Sequence, residues 1–210
     1  ATGEKFIRME MGVPGLAPSR IGTEAEIEAL KHGVAQFYPM LEGYPVLSEE
    51  ASRFVKNFMD VDIRPEGIIP TVGAMQASYV AFMALTECHK GKDTILFIDP
   101  GFPVQKTQLE VIGKPYQTFD IYEYREEKLE AKLREYLDRG NIAGIVYSNP
   151  NNPSWVCLTD FELQVIGKLA TEYDTIILED LAYFAMDFRK DLSHPGKAPF
   201  QPTVAKYTDN

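Results

Sequence analysis

A three-layer α/β/α sandwich around a mostly parallel sheet is the fold class this sequence predicts, and three observations carry the prediction. Short apolar runs of strand length recur at Ile95 to Ile98, Ile142 to Val146 and Thr175 to Leu178. Stretches with helical spacing of apolar residues lie between them, and such alternation implies parallel strands covered by helices on both faces. Each run also gives way to a short loop or acidic segment: Asp99-Pro100-Gly101-Phe102-Pro103, Asn149-Pro150-Asn151-Asn152-Pro153, and Glu179-Asp180-Leu181-Ala182-Tyr183. In an open α/β sheet the crevice outside the carboxyl ends of the strands is where ligands bind, so these three segments are the candidate site.

The chain enters through a turn-rich stretch, Met11-Gly12-Val13-Pro14-Gly15-Leu16. Thr23 followed by Glu26 has the spacing of a capping box, which predicts a helix running to about Gln36. Phe37 to Pro45, with two prolines and Gly43, interrupts that helix. Residues 1–45 are therefore expected to form an N-terminal arm, and 46–210 a larger domain. Ser48 is placed to cap a second helix with Phe54, Val55 and Phe58 on one face. The run Gly67 to Met75 opens a strongly apolar helix in which Ala77, Ala81, Met83, Ala84 and Leu85 leave little polar surface, so it is expected to be buried. Small residues in its first turn leave backbone N–H groups without intrahelical partners, and with the helix dipole these favour a phosphate. That signal is weak alone, because the chain has neither a Walker lysine pattern nor a GxGxxG run.

Beyond the strand Ile95 to Ile98 the pattern predicts a helix from about Pro103 to Ile112 and an extended segment Tyr116 to Phe119. A helix carrying Leu129, Leu133 and Leu137 follows and stops at Gly140. Ile142, Ala143, Ile145 and Val146 then read as a buried strand feeding the loop Tyr147 to Trp155. The two prolines of that loop bias the residues before them, Asn149 and Asn152, toward extended backbone and hold the loop stiff. Thr159 with Glu162 is a second capping box, leading a helix with Leu163, Ile166 and Ala170. Asp187 to Asn210 mixes charge with Pro and Gly and shows no clear period.

Composition excludes several classes. With 45% hydrophobic and 25% charged residues in 210, the chain is an ordinary globular sequence able to bury one good-sized core. A net charge of −10 without a block of Lys and Arg argues against a nucleic-acid partner. No apolar run reaches the length of a membrane span and Ala1 to Arg8 lack a signal-peptide core, so no membrane role is expected. Cys88 and Cys157 are far apart and without metal-ligand spacing, which points to a reducing, cytoplasmic compartment and to no metal site. A Ser-His-Asp hydrolase is disfavoured, since His32, His89 and His194 are the only histidines and no Gly-x-Ser-x-Gly elbow occurs. The chain begins without a methionine and ends in a polar stretch, and it is expected to be part of a larger protein.

Asn149-Pro150-Asn151-Asn152-Pro153 resembles the Asn-Pro-x-Asn-Pro loop of the fold-type I, pyridoxal-phosphate-dependent aminotransferases of class I/II, and further matches run in order from about Gly12 to Tyr183. The resemblance implies pyridoxal 5'-phosphate as cofactor, an amino acid and a 2-oxo acid as substrates, and a homodimer. It also implies an arm plus an incomplete large domain. By the same resemblance Gly73, Ala74 and Met75 take the cofactor phosphate, and Phe102 covers the pyridine face. Asn152 and Tyr183 donate to the phenolic oxygen, and Asp180 pairs with the pyridine nitrogen. Tyr38 reaches the phosphate of the neighbouring subunit's cofactor, and Gly12 lies beside the substrate carboxylate. The chemistry suits the residue types. A carboxylate that keeps the pyridine nitrogen protonated makes the ring an electron sink, and an acid directly after Ile176-Ile177-Leu178 is well placed for it. Taken without the resemblance, Tyr38 and Phe102 read as packing residues.

Three departures from that family matter. Ser154-Trp155 stands where the family continues with Thr-Gly, so the loop's exit must differ. Leu181 stands where a glutamate is common, although Asp180 and Tyr183 keep their spacing. No Ser-x-Ser-Lys segment supplies the Schiff-base lysine, and Lys190, Lys197 and Lys206 all lack that context and are expected to be exposed. The 210 residues alone are therefore expected to hold most non-covalent cofactor contacts without catalysing transamination. Asp180→Ala is expected to cost more than Asn151→Ala. Amino-group transfer is the leading reading. A carbon-sulfur, β-eliminating lyase of the same fold and a non-catalytic relative are the alternatives, and keto acid production with an amino acceptor separates transferase from lyase.

Overall fold

The computed structural model describes residues 3, 5, 7, 12, 15–186 and 201–210. The chain divides into two compact units, Ala1–Leu41 and Glu42–Asn210. In the first unit, helix α1 spans Arg20–Lys31 and buries no residue, and a 3-10 turn follows at Val34–Gln36. The Thr23–Glu26 capping box does not form. The helix starts one turn earlier, after Ser19, and the Thr23 hydroxyl lies inside it, donating to the Ser19 carbonyl at 3.2 Å. The helix also stops at Lys31, where Gly33 takes a left-handed φ of 80°, short of the expected Gln36.

The second unit opens with α2, Pro45–Met59. Here too the start differs from expectation. Pro45, whose fixed φ and missing N–H suit the first helical position, begins the helix, and Ser48 is a buried interior residue instead of its cap. Phe54 and Phe58 do share a face, with ring centroids 4.6 Å apart. The elements then alternate as α3 Gly73–Cys88, β1 Thr94–Asp99, α4 Pro103–Ile112, β2 Tyr116–Asp120, α5 Glu127–Leu137, β3 Ile142–Ser148, α6 Asp160–Tyr173 and β4 Ile176–Asp180. The sheet order is β2-β1-β3-β4 and every pairing is parallel.

Residues of β1 show how the three layers are built. Leu96 and Ile98 join the core made with Leu129, Leu133, Leu163 and Ile166 of α5 and α6. Ile95 and Phe97 point to the opposite face and join Phe82, Leu85 and Leu109 of α3 and α4. On that second face a side chain at Gly144 would crowd Leu85, Ile95 and the Ile176 carbonyl, at 3.2 to 3.4 Å, so the glycine lets α3 approach β3. The α3 helix itself is less buried than its composition suggests. Ser78, Phe82, Leu85 and Thr86 face inward, while Val80 and Met83 are exposed.

The capping box at Thr159 and Glu162 is complete: the Thr159 hydroxyl accepts from the Glu162 amide at 3.2 Å, and Glu162 accepts from the Thr159 amide at 2.9 Å. Glu162 is fully buried and also accepts from the Arg125 guanidinium and from the Glu126 amide. Its burial raises the carboxyl's pKa, but these donors outweigh that and hold it below its ordinary value.

Candidate functional site

The chain runs from β1 outward to β2 and then crosses back to β3 on the other side of β1. Loops after β1 and β3 therefore leave in opposite directions, and such a switch point opens a crevice at the carboxyl ends of the strands. A cleft of about 180 Å³ lies here, lined by Phe102 after β1, Ser148 and Asn152 after β3, and Asp180, Ala182 and Tyr183 at the end of β4. Ala74, Met75 and Ser78 of α3 and Gln105 and Gln108 of α4 complete its wall.

Each group is held by its own element. Asp180 is the last residue of β4, and its two carboxylate oxygens accept one hydrogen bond each, from Gln105 Nε2 at 3.0 Å and from the Ala182 amide at 3.0 Å. Those bonds fix the carboxylate and leave lone pairs for a further donor. Phe102 stands at the N-cap of α4, with Pro103 in the first helical position. Gln108 ties α4 to the start of α3, accepting from the Ser78 hydroxyl and donating to the Met75 carbonyl, both at 2.8 Å. No side chain caps α3 at its N-cap Val72; the Gly73 amide is taken by the Thr71 carbonyl at 3.0 Å, contrary to the phosphate role expected of it, and the next amides of the first turn, at Ala74 and Met75, lie at the cleft wall.

The three asparagines of the Asn/Pro loop separate into two roles. Asn149 is buried, its Oδ1 accepting from the Leu158 amide at 3.1 Å and its amide donating to the Asp180 carbonyl at 3.0 Å. Asn151 is buried as well: it donates to the Pro100 carbonyl at 2.6 Å and to Ser148 Oγ at 3.2 Å, and accepts from Ser154 Oγ at 2.6 Å. It knots the loop after β3 to the loop after β1. Asn152, whose amide donates to Ser148 Oγ at 3.1 Å, lines the cleft, and its side chain makes no hydrogen bond among the described residues. The Tyr183 hydroxyl is likewise without a partner there, and its ring meets Trp155 edge-on with centroids 5.4 Å apart.

Of the residues singled out in the sequence, Ala74, Met75, Phe102, Asn152, Asp180 and Tyr183 come together around this cleft, and Gly73 begins the helix that forms part of its wall. Gly12 and Tyr38 belong to the first unit, and both are exposed. Lys206 is exposed, as expected, and pairs with Asp60 at 3.1 Å. Lys190 and Lys197 lie outside the described residues. Among the described residues no lysine lines the cleft and no group of His, Cys, Asp and Glu could hold a metal ion. Gln105 and Ser148 have no motif to announce them, and Asn151 sits at the variable position of its motif. For the first two the only sequence signal is a polar residue next to a strand end or one turn into the helix that follows it.

Behind the site Glu179 carries a second polar cluster, accepting from the Thr203 hydroxyl, from the Val204 amide at 3.3 Å and from Asn149 Nδ2 at 3.5 Å. Burial raises its carboxyl above the ordinary value against the pull of these donors. Burial, and then the nearby Glu179 charge, hold the Tyr147 phenol well above its usual range.

A parallel α/β sandwich with a carboxylate, an asparagine, a tyrosine and an aromatic wall gathered at the switch point is an arrangement suited to holding a small ligand. The profile of the family "Aminotransferase class I and II" matches residues 4–209, and the chain belongs to that family. Aspartate aminotransferase of Pyrococcus horikoshii is 29% identical over 202 residues, which cover 95% of this chain and 50% of the relative. Asparagine--oxo-acid transaminase of Streptococcus mutans is 24% identical over 183 residues, 87% of this chain and 46% of the relative. Among solved structures, alanine aminotransferase from Pyrococcus furiosus superimposes with a TM-score of 0.68 at 25% identity, covering 79% of this chain and 41% of that one. An aminotransferase from Mycobacterium tuberculosis gives a TM-score of 0.76 at 18% identity over 94% of this chain and 48% of that one. The chain spans about half the length of the curated relatives it matches.

Proposed function

We propose that this chain supplies the non-covalent pyridoxal 5'-phosphate site of an enzyme that moves an amino group from an amino acid to a 2-oxo acid. The observation that carries the reading is the Asp180 carboxylate, fixed by Gln105 and the Ala182 amide in a cleft that Phe102, Asn152 and Tyr183 also line. The residues present fit the group, because Asn152 and Tyr183 offer polar side chains unused by the described protein around a fixed carboxylate and an aromatic ring. The aminotransferase names of the relatives support the same reading.

Pyridoxal phosphate, when bound, supplies an electron sink for chemistry at an amino-bearing carbon. Asp180 would hold the proton on the pyridine nitrogen by a charge-assisted hydrogen bond. Asn152 and Tyr183 would donate to the phenolic oxygen and stabilise its anion, and Phe102 would cover the ring face without adding charge. First-turn amides at Ala74 and Met75 would receive the phosphate at the positive end of α3, beside Gly73, whose own amide is already given to the Thr71 carbonyl at 3.0 Å. Cytoplasmic location and a two-fold dimer, in which Tyr38 and Gly12 complete the site, are part of the proposal. They rest on the two separated cysteines and on the family resemblance. An active protein found by light scattering to be monomeric throughout would refute the dimer.

The direct test titrates pyridoxal 5'-phosphate into this 210-residue chain and its Asp180→Ala variant, read by equilibrium dialysis and by the visible circular dichroism of bound cofactor. Saturable binding by the unaltered chain, weakened on the order of a hundredfold by Asp180→Ala, is expected, since losing a buried charge partner costs a few kcal/mol. Equal affinity for both chains would sink the assignment of Asp180. Asn151→Ala is a poor neutral reference, because that side chain ties two loops together.

A further inference from the structure

Trp155 occupies the loop position at which the resembled family carries glycine, and its φ of 60° lies in the left-handed region that favours glycine. The backbone is fixed there by the bond from the Trp155 amide to the Asn151 carbonyl at 2.9 Å, in the loop that Asn151 ties to Ser154 and Pro100. The residue is 40% exposed, and its indole meets the Tyr183 ring edge-on, at 5.4 Å between centroids and 66° between planes. Edge-to-face contact is a favoured geometry of aromatic pairs. On its own segment Tyr183 is held through the backbone, by the turn bonds Phe184 N to Leu181 O at 2.8 Å and Met186 N to Tyr183 O at 3.1 Å. Those bonds fix the chain but not the rotation of the ring. The loop after β3 therefore reaches the segment after β4 through this ring pair, and a bulky residue keeps a backbone conformation that a glycine would adopt freely.

Resting on the cofactor reading above, we propose that Trp155 is a positioning residue for Tyr183: the indole holds the phenol edge-on and keeps its hydroxyl at the cleft that Asn152 and Asp180 also line. Trp155 is the only tryptophan of the chain, so its emission reports this contact without a label. In the first arm, with no cofactor present, Tyr183→Ala shifts the indole emission and increases its quenching by acrylamide. Unchanged emission and quenching overturn the proposal. In the second arm, binding of pyridoxal 5'-phosphate is measured by equilibrium dialysis for the unaltered chain, Trp155→Gly, Trp155→Phe and each change combined with Tyr183→Phe. Trp155→Gly is compatible with the local backbone and is expected to weaken binding about fivefold, while Trp155→Phe, which keeps a ring, stays within about twofold. In the Tyr183→Phe background, where no hydroxyl remains to be aimed, Trp155→Gly is expected to change binding by less than about twofold. A full loss in both backgrounds overturns the proposal, because Trp155 would then act on the ligand or the loop and not through Tyr183. If the unaltered chain shows no saturable binding, the cofactor reading fails, and the indole–phenol contact is judged on the fluorescence arm alone.

Discussion

On the face of the sheet covered by α5 and α6, Leu129, Leu133, Leu163, Ile166 and Leu169 are all completely buried. On the face covered by α3 and α4, only Phe82 and Leu109 of those helices are buried to that degree, and Val80, Met83 and Val111 stay exposed. Polar groups divide the same way. Glu162 under α5 and α6 is closed onto Arg125 and two backbone amides, whereas Gln105 of α4 points its amide at Asp180 in the cleft. One face stabilises the sheet with satisfied, inaccessible groups. The other gives part of its packing to the crevice, where unpartnered polar groups are useful to a ligand and costly to bury.

The sharpest way to break this contrast is Glu162→Ala. The change removes the buried carboxylate that the Arg125 guanidinium pairs with, leaving it the Cys157 carbonyl at 3.3 Å, and takes away half of the capping box; breaking a buried pair in this way costs about 3–5 kcal/mol. Urea denaturation should show that loss, while the folded fraction keeps the cofactor affinity of the unaltered chain. A loss under about 1 kcal/mol would mean that solvent replaces the pair readily and that the two faces are not so different.

Next in size is a matched pair of truncations. Leu133→Ala in the fully buried core should cost about 2–5 kcal/mol through the cavity it leaves, and Val80→Ala on the exposed side of α3 about 0.5 kcal/mol or less. Thermal and urea unfolding of both variants check the ranking. Comparable losses would show that something covers α3 in solution.

Much of this division was legible in the residue order. The strands and α4, α5 and α6 follow from apolar runs and helical spacing, because their burial leaves a periodic trace; Leu129, Leu133 and Leu137 repeat at four residues and all three are buried. The two identical-looking capping boxes show where such reading stops. Thr159–Glu162 closes because Arg125 and Glu126 converge on Glu162 from another element, while Thr23–Glu26 sits on a helix with no buried residue and nothing to select that start. Local motifs nominate a helix start, and tertiary contacts choose it. At the site, the segments carrying Phe102, Asn152, Asp180 and Tyr183 were readable because each lies at or just after a strand end, while the choice of those residues within them came from the family resemblance. Gln105 was not: on sequence it is one more polar residue on an amphipathic helix, and only the register of α4 over β4 makes it the partner of Asp180. Trp155 was readable as a departure, but its contact with Tyr183 depends on two loops from different strands.

The smallest expected effect concerns the seam behind the cleft, where Glu179 joins Asn149 of the Asn/Pro loop to Thr203 and Val204 near the end of the chain. Burial raises the folded-state pKa of Glu179 above that of an ordinary carboxyl, so between the two values the folded chain holds a proton that the unfolded chain has released. In that window the unfolded state binds fewer protons, and stability must fall as pH rises, by at most about 1.4 kcal/mol per pH unit for one proton. Below the ordinary carboxyl value both states are protonated and the contribution is fully present. Once pH has passed the raised value both states are ionised and the contribution has gone. Glu179→Gln keeps an acceptor for Thr203 and Val204 but has no proton to lose. Urea midpoints measured from pH 4 upward, converted with a common slope, should therefore fall more steeply for the unaltered chain than for the variant. Parallel profiles would mean that Glu179 is solvated enough to titrate normally, and the seam would then belong with the open side of the molecule.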